Sequence, residues 1–461
     1  MGLSEAKELD VPFNQESPKG QLKRSLKLRH VVFIGIAYMS PLAVFDTFGI
    51  ISDITNGHVP AAYMLVIIAI LFTAYCYGKM VKIYPYAGSI YTYTRKTINA
   101  HLGFLVGWAA ILDYLFLPMI NSLLASIYLS SAFPSVPSWI WIFSTIVITT
   151  TLNLMGVKLA VVFNYLMVIL QILVAVIFVI LTIRTVIYGE GYGSSFSLHP
   201  FYSDEFHLPA VFAGASILAL SFLGFDAVTT LAEETIEPKK NIPRGIFIIA
   251  LGAGAFFVTI TYFMQSLFPD VGVLKDIEGA SPEIAKYIGG NLFHSIFISG
   301  YVVAVLACGI TQQMSASRLL YGMGRDGVLP KKIFGYIHPR TGIPVFNILF
   351  VGILALSAIF LNLMEAASLI NFGAFAAFTF VNLSVIVYFF KRVKSRSTKA
   401  ILGYVIVPFL GLGFNMYLWY SLEIAAMILG LIWTGIGFLY ILYLTNFFRK
   451  KPPELDDSQA H

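Results

Sequence analysis

Stretches of about 20 predominantly apolar residues, separated by short segments rich in polar residues, Gly or Pro, recur along almost the whole chain. They predict roughly twelve membrane-crossing helices: Val31 to Ile54, Ala61 to Val81, Leu102 to Ser131, Trp139 to Gly156, Ala160 to Tyr188, Leu208 to Ala232, Ile246 to Phe268, Leu292 to Tyr321, Val345 to Leu361, Ala366 to Phe390, Ala400 to Tyr420 and Ile424 to Phe447. Two of these apolar runs are interrupted. The first carries Met39-Ser40-Pro41-Leu42-Ala43 followed by Asp46, and a proline inside a helix deletes a backbone donor and clashes with the preceding turn. The sixth carries Ser221-Phe222-Leu223-Gly224-Phe225-Asp226, where glycine permits non-helical backbone and close approach of a ligand. Interruptions at corresponding places in two five-helix halves point to an inverted-repeat transporter with its site near the membrane midplane.

Charge orients the stack. With the N-terminus inside, all but Arg184, Lys275 and Lys286 of the 30 Lys and Arg fall on cytoplasmic segments, so both termini are expected in the cytoplasm. The net charge of +6 therefore reports topology rather than a nucleic-acid surface, because Lys19 to Arg29 is too short and too close to the first span to form a basic domain. With 58% hydrophobic and 12% charged residues and a mean hydropathy of +0.80, most of the chain cannot be the surface of a soluble protein. No leading apolar segment with a cleavage site is read, so the first span is expected to direct insertion. Cys76 and Cys308 both lie within predicted spans, and no paired histidine spacing is present, so neither a metal site, a cofactor nor a disulfide framework is expected.

Several linked motifs resemble one family. Pro85-Tyr86-Ala87-Gly88-Ser89-Ile90-Tyr91-Thr92-Tyr93, Gly103-Phe104 with Gly107-Trp108, the sixth-span string through Glu233-Glu234 to Ile242-Pro243-Arg244, and Ala316-Ser317-Arg318 through Val328-Leu329-Pro330 are similar to signatures of the amino acid-polyamine-organocation superfamily. Within it, the strings around Asp46, Asp113-Tyr114, Asp226 and Asn371 most resemble bacterial putrescine importers. The resemblance implies an all-α polytopic membrane protein of about twelve transmembrane helices, with the LeuT-like fold. This fold has a 5+5 inverted repeat with broken helices one and six, plus two peripheral helices. The expected division is a cytoplasmic N-terminal segment 1–30, a first repeat 31–190, a second repeat 208–392, peripheral helices 399–448 and a cytoplasmic tail 449–461. It further implies uptake of a small organic cation or amino acid, by alternating access and without enzymatic chemistry, across the bacterial plasma membrane.

The residues narrow the substrate. Amino-acid carriers of this fold present glycine-flanked amides to a carboxylate at the first break, whereas here Pro41 removes one amide and no glycine adjoins it. Asp46, Asp113 and Asp226 all fall well inside spans, and charge at that depth is costly enough to mark function. A diammonium guest needs two or more anionic partners, while a zwitterion brings its own counter-charge. The expected ligand is putrescine or a similar small polyamine, with an amino-acid permease or a substrate/product exchanger as the alternatives. Tyr38, Ser40, Pro41, Asp46, Asp113, Tyr114, Phe222, Gly224 and Asp226 form the expected substrate site, the aromatic rings adding cation–π attraction. Coupling is expected through a proton carried by Asp113 or Asp226; sodium is the lesser expectation, with Thr311 and Ser315 as its hydroxyl ligands. Some relatives of the family are similar in placing a lysine in the fifth span, where this chain has the non-titrating Gln171. Glu233 and Glu234 are expected to form an inner gate with Arg318, Arg325 or Asp326. Otherwise they anchor the helix end at the lipid headgroups.

Overall fold

Among the described residues of the computed structural model, eleven segments are long and apolar enough to cross a membrane, and the shorter apolar segment Val345–Ile359 makes a twelfth. The structure describes residues 24, 26–85, 89–155, 160–189, 197–232, 234–325, 327–339, 343–394 and 396–452. Helix is the only regular element among them, apart from one parallel bridge between Leu26 and Thr235. That economy is physical: in hydrocarbon every backbone amide and carbonyl must be satisfied within its own segment, and a helix does this.

The first span is split. Helix α1 (Leu28–Met39) ends at Ser40, a 3₁₀ turn covers Pro41–Phe45, and α2 (Phe48–Ile54) completes the crossing. Then α3 (Val59–Ile83) crosses back, α4 (Ser89–Thr97) is short and amphipathic, and α5 (Ala100–Ala132), α6 (Ser138–Met155) and α7 (Ala160–Ile187) follow. The sixth span is split more deeply. Helix α8 (Leu208–Leu218) tightens into a 3₁₀ turn at Ala219–Phe222, and after the bend the chain continues as a second 3₁₀ segment, Ala227–Leu231, without returning to α-helix. Beyond it lie α9 (Pro238–Leu267), α10 (Ala280–Arg325), the one-turn α11 (Lys331–Phe334), α12 (Val345–Ala355), α13 (Leu363–Arg392), α14 (Thr398–Ile401), α15 (Val407–Tyr420) and α16 (Ile424–Leu444).

The packing explains where the site falls. Helix α3 lies along α9, and α5 lies along both α10 and α13, so the two broken spans are enclosed between these long partners. Polar side chains join the long helices: Asn153 donates to Gln313 at 3.0 Å, Gln313 donates to Thr150 at 2.9 Å, and Trp108 and Trp433 each donate an indole N–H to the other's carbonyl. In an apolar solvent such bonds, with close packing, replace the hydrophobic force that assembles soluble bundles.

Three boundaries differ from the sequence expectation. Helix α10 starts at Ala280, before the expected Leu292, because Ile284, Ala285 and Ile288 bury one face while Glu283 and Lys286 break the apolar run. Gly290, at φ 66°, kinks it where the crossing begins. The polar α4 falls in a stretch expected only to connect spans two and three, and the eleventh span opens with a wide π-helical turn at Leu402–Ile406.

Candidate functional site

The break in the first span is set by Ser40 rather than by Pro41 alone. Ser40 takes φ 58°, ψ 112°, a conformation that L-residues adopt rarely, and Pro41 then opens the 3₁₀ turn with its fixed φ. The strained residue is held from outside its own helix: its hydroxyl donates to the Gln171 side-chain oxygen at 2.8 Å, and Gln171 on α7 is buried. Within the turn the Ser40 carbonyl accepts from Ala43, and the Ala43 carbonyl accepts both from Asp46 N–H at 3.2 Å and from the Ser221 hydroxyl at 3.3 Å. Tyr63 on α3 shares a 3.2 Å hydrogen bond with Ser221, so the two discontinuities are tied to each other and to α3.

Asp46 faces a cavity of about 40 Å³ that Tyr38, Ser40, Asn121, Leu223, Tyr301 and Gln312 also line. That volume holds a water or two and is far smaller than an aliphatic diamine. One Asp46 oxygen accepts from the Tyr301 hydroxyl; the other has no hydrogen-bond partner among the described residues. Tyr301 in turn stacks on Tyr128 with ring centroids 3.6 Å apart and planes 5° off parallel. The Tyr128 hydroxyl donates to the Phe45 carbonyl at 2.9 Å, and Ser281 donates to the same carbonyl at 2.8 Å. Phe45 packs against Phe178 at 4.7 Å and Phe297 at 5.1 Å, so the end of the cavity toward α2 is closed by a plug of buried rings.

Asp226 and Asp113 do not open on that cavity. They form a second cluster in which Tyr38 and Tyr114 lie within electrostatic range of both carboxylates, and Tyr77 within range of Asp226 and Tyr114. Tyr77 on α3 donates to Asp226 Oδ2 at 3.1 Å, and one Asp113 oxygen is buried without a hydrogen-bond partner. Tyr38 belongs to both groups, lining the cavity while its ring lies directly against Gly224, where φ is +108°. A side chain at Gly224 would run into that ring, so glycine is required here both for its backbone angle and for space. The expectation of a single chamber holding three aspartates is therefore corrected to two acidic positions separated by Tyr38.

Of the other expected residues, Ser40 and Pro41 shape the turn, and Tyr114 adjoins Asp113. Phe222 is fully buried against Tyr63 and Phe257 and does not line the cavity; its apolar ring fills the space between α3 and α9. Thr311 donates to its own helix at the Ala307 carbonyl. For the expected gate, Glu233 and Asp326 lie outside the described residues. Arg318 is exposed, and among the described residues no ion pair joins it to Glu234. Glu234 is held instead through its backbone: Leu26 N–H donates to the Glu234 carbonyl at 3.0 Å, and Ile236 N–H donates to the Leu26 carbonyl at 2.9 Å. Sequence reasoning missed this clip, and it missed Tyr77, Tyr128, Asn121, Tyr301 and Gln312. All five are polar residues inside predicted spans, and polarity at that depth was the one signal they carried.

Comparison with known proteins agrees with this architecture. The pattern of the Amino acid permease family matches residues 30–451. The chain is 45% identical over 438 residues to the low-affinity putrescine importer PlaP of Escherichia coli (strain K12), covering 95% of this chain and 97% of that protein. More distantly, it is 26% identical over 451 residues both to the methylthioribose transporter and to the branched-chain amino acid permease BcaP of Bacillus subtilis (strain 168), covering 93% of this chain in each case. With split first and sixth spans, a cavity between them and a family match from the first span to the last, the chain belongs to the amino acid permease family.

Proposed function

We propose that this permease imports putrescine, or a similarly small aliphatic diamine, across the bacterial plasma membrane by alternating access, coupled to protons. What supports it most directly is that Asp46, Asp113 and Asp226 have no basic partner among the described residues, although Asp46 and Asp226 sit at the two helix discontinuities and Asp113 lies inside the membrane-spanning α5. A carboxylate withdrawn from water and left without a counter-ion is costly, and a dication relieves that cost at two places at once. The near-full-length identity with a putrescine importer supports the same substrate class.

On this reading one ammonium takes the free oxygen of Asp46, whose other oxygen is occupied by Tyr301. The second ammonium reaches the Asp113–Asp226 cluster past Tyr38, whose ring offers cation–π attraction on the way. The Pro41-deleted amide makes the first break a poor cradle for a carboxylate, which sets an amino acid at a disadvantage. We assign proton coupling to the Asp113–Asp226 cluster, where a buried carboxyl oxygen without a hydrogen-bond partner offers a place to hold a proton that an arriving cation would displace. The proposed topology keeps both termini in the cytoplasm and divides the core into the five-helix repeats 31–190 and 208–392, with the helices of 399–448 at the periphery.

Uptake of radiolabelled putrescine into vesicles, competed by spermidine, ornithine and arginine, tests the substrate. Putrescine is expected to compete best, and stronger competition by ornithine or arginine would overturn the dication argument. Imposing a pH gradient in sodium-free buffer tests the coupling; uptake that appears only with sodium would remove the proton. Asp226→Asn is expected to abolish uptake while leaving the protein in the membrane.

A further inference from the structure

On the outer flank of the bundle a groove of about 470 Å³ runs between α3 and α9, and it shares no residue with the cavity at Asp46. Tyr75, Lys79 and Lys82 line it from α3, and Pro243, Arg244 and Phe247 from α9. The floor is tight because Gly78 lets Pro243 come close, a Cβ there meeting the proline Cβ at 3.1 Å. Three cations converge on the rim, Lys79 and Lys82 one turn apart on α3 and Arg244 facing them from the first turns of α9. None of the three has an ion-pair partner among the described residues. Lys79 is also held in place: it is half-buried, its ammonium 4.0 Å from the Tyr404 ring centroid and 5.3 Å from that of Tyr75.

Like charges gathered around one groove repel, and an anion seated among them relieves that repulsion. The walls define the rest of the occupant. Along α9 the groove continues past Phe247 and Ile248 toward Leu251, all of them exposed apolar side chains on a membrane-spanning helix. A soluble anion makes no use of such a wall, and a zwitterionic lipid brings its own cation to the phosphate. We propose that the groove binds an anionic phospholipid, with the phosphate among Lys79, Lys82 and Arg244 and an acyl chain along Phe247 and Ile248. The bound lipid spans the seam between α3 and α9, and α3 is the helix that carries Tyr77, the donor to Asp226.

The test uses the full-length protein purified in neutral detergent, with lipid retention read by native mass spectrometry and stability by thermal unfolding. Dioleoylphosphatidylglycerol is expected to be retained in preference to dioleoylphosphatidylcholine, and to raise the unfolding temperature where glycerol phosphate, a soluble phosphate anion without chains, does not. Each cation contributes about a fivefold preference. Combined Lys79→Gln, Lys82→Gln and Arg244→Gln is expected to equalise the two lipids, and the single exposed change Lys82→Gln gives a graded loss should the triple variant fold poorly. Neutralising Lys331, Lys332 and Lys399 instead is expected to leave the preference intact. Equal retention of both lipids by the parent, an unchanged preference in the triple variant, or an equal loss in the Lys331/Lys332/Lys399 control would overturn the proposal. Stabilisation by glycerol phosphate as large as by the lipid would make this a free-anion site instead.

Discussion

At the scale of single residues, Asp46 and Tyr301 divide one task. The tyrosine hydroxyl occupies one carboxylate oxygen and fixes the plane of the group, leaving the other oxygen free for the ammonium of the proposed substrate. Asp46→Asn is expected to weaken putrescine binding by at least about thirtyfold, because truncating one partner of a buried charged pair strands the other. Tyr301→Phe keeps the stack on Tyr128 but deletes the hydroxyl, so KM is expected to rise by about tenfold, the loss of one hydrogen bond to a charged group, with little change in protein abundance. A KM equal to the parent's would show that Tyr301 does not orient Asp46. Gly224→Ala forces a side chain into Tyr38 at a φ of +108° and is expected to abolish transport in protein that still reaches the membrane; activity within twofold of the parent would refute the close fit. The aspartates were legible from the sequence because charge is rare at membrane depth. Their tyrosine partners were not, because 25 tyrosines in one chain carry no local mark of which hydroxyl meets which carboxylate. That choice is made by how α3, α5 and α10 cross, and it also separated Asp46 from Asp113 and Asp226.

At the scale of elements, Pro41 and Gly224 announced where spans one and six break, since both residues act on the backbone itself. How far each break extends depends on partners elsewhere, and these the local pattern does not contain: Gln171 holds Ser40, and Ser221 ties one break to the other. The same holds for the backbone clip at Leu26, where a short segment ahead of α1 closes over the end of the sixth span. Leu26→Pro removes the N–H given to Glu234, worth about 1 kcal/mol net, so accumulated putrescine is expected to leak from loaded vesicles about fivefold faster. Leu26→Ala, which keeps the amide, is the control, and equal leak rates for the two variants would exclude a gating role for this pairing. A second element-level effect lies in the turn between α15 and α16. Burial first, and then the Glu365 carboxylate, push the Glu423 carboxyl above its usual range. A group whose folded-state pKa is raised stabilises the fold at low pH and loses that contribution as pH rises through the folded value. Glu423→Gln is therefore expected to match the parent in thermal unfolding near pH 4 and to exceed it near pH 8; a variant less stable than the parent at the higher pH would reverse the assignment.

At the scale of the whole molecule, a cavity of about 40 Å³ beneath a plug of buried rings cannot be entered by a diamine as it stands. Transport then requires the enclosing helices to part, and the chain carries its own reporter of that parting. Cys308 on α10 lines the cavity and is almost fully buried, whereas Cys76 on α3 is completely buried and lines no part of it. A thiol reacts only as an accessible thiolate, so Cys308 is inert while the cavity is closed and becomes reactive in any state that admits water and a maleimide. In a Cys76→Ala protein, alkylation of Cys308 by N-ethylmaleimide is expected to be slow, to follow the population of open states, and to be suppressed by saturating putrescine occupying the same space. A ligand that leaves the alkylation rate unchanged would mean that the diamine binds elsewhere. Suppression that survives in Cys76→Ala/Asp46→Asn at the same putrescine concentration would mean that the cavity closes around the ligand without the carboxylate that faces it. Only suppression that depends on Asp46 joins the opening of the helices to the neutralisation of that buried charge, and this is the link on which alternating access by this chain turns.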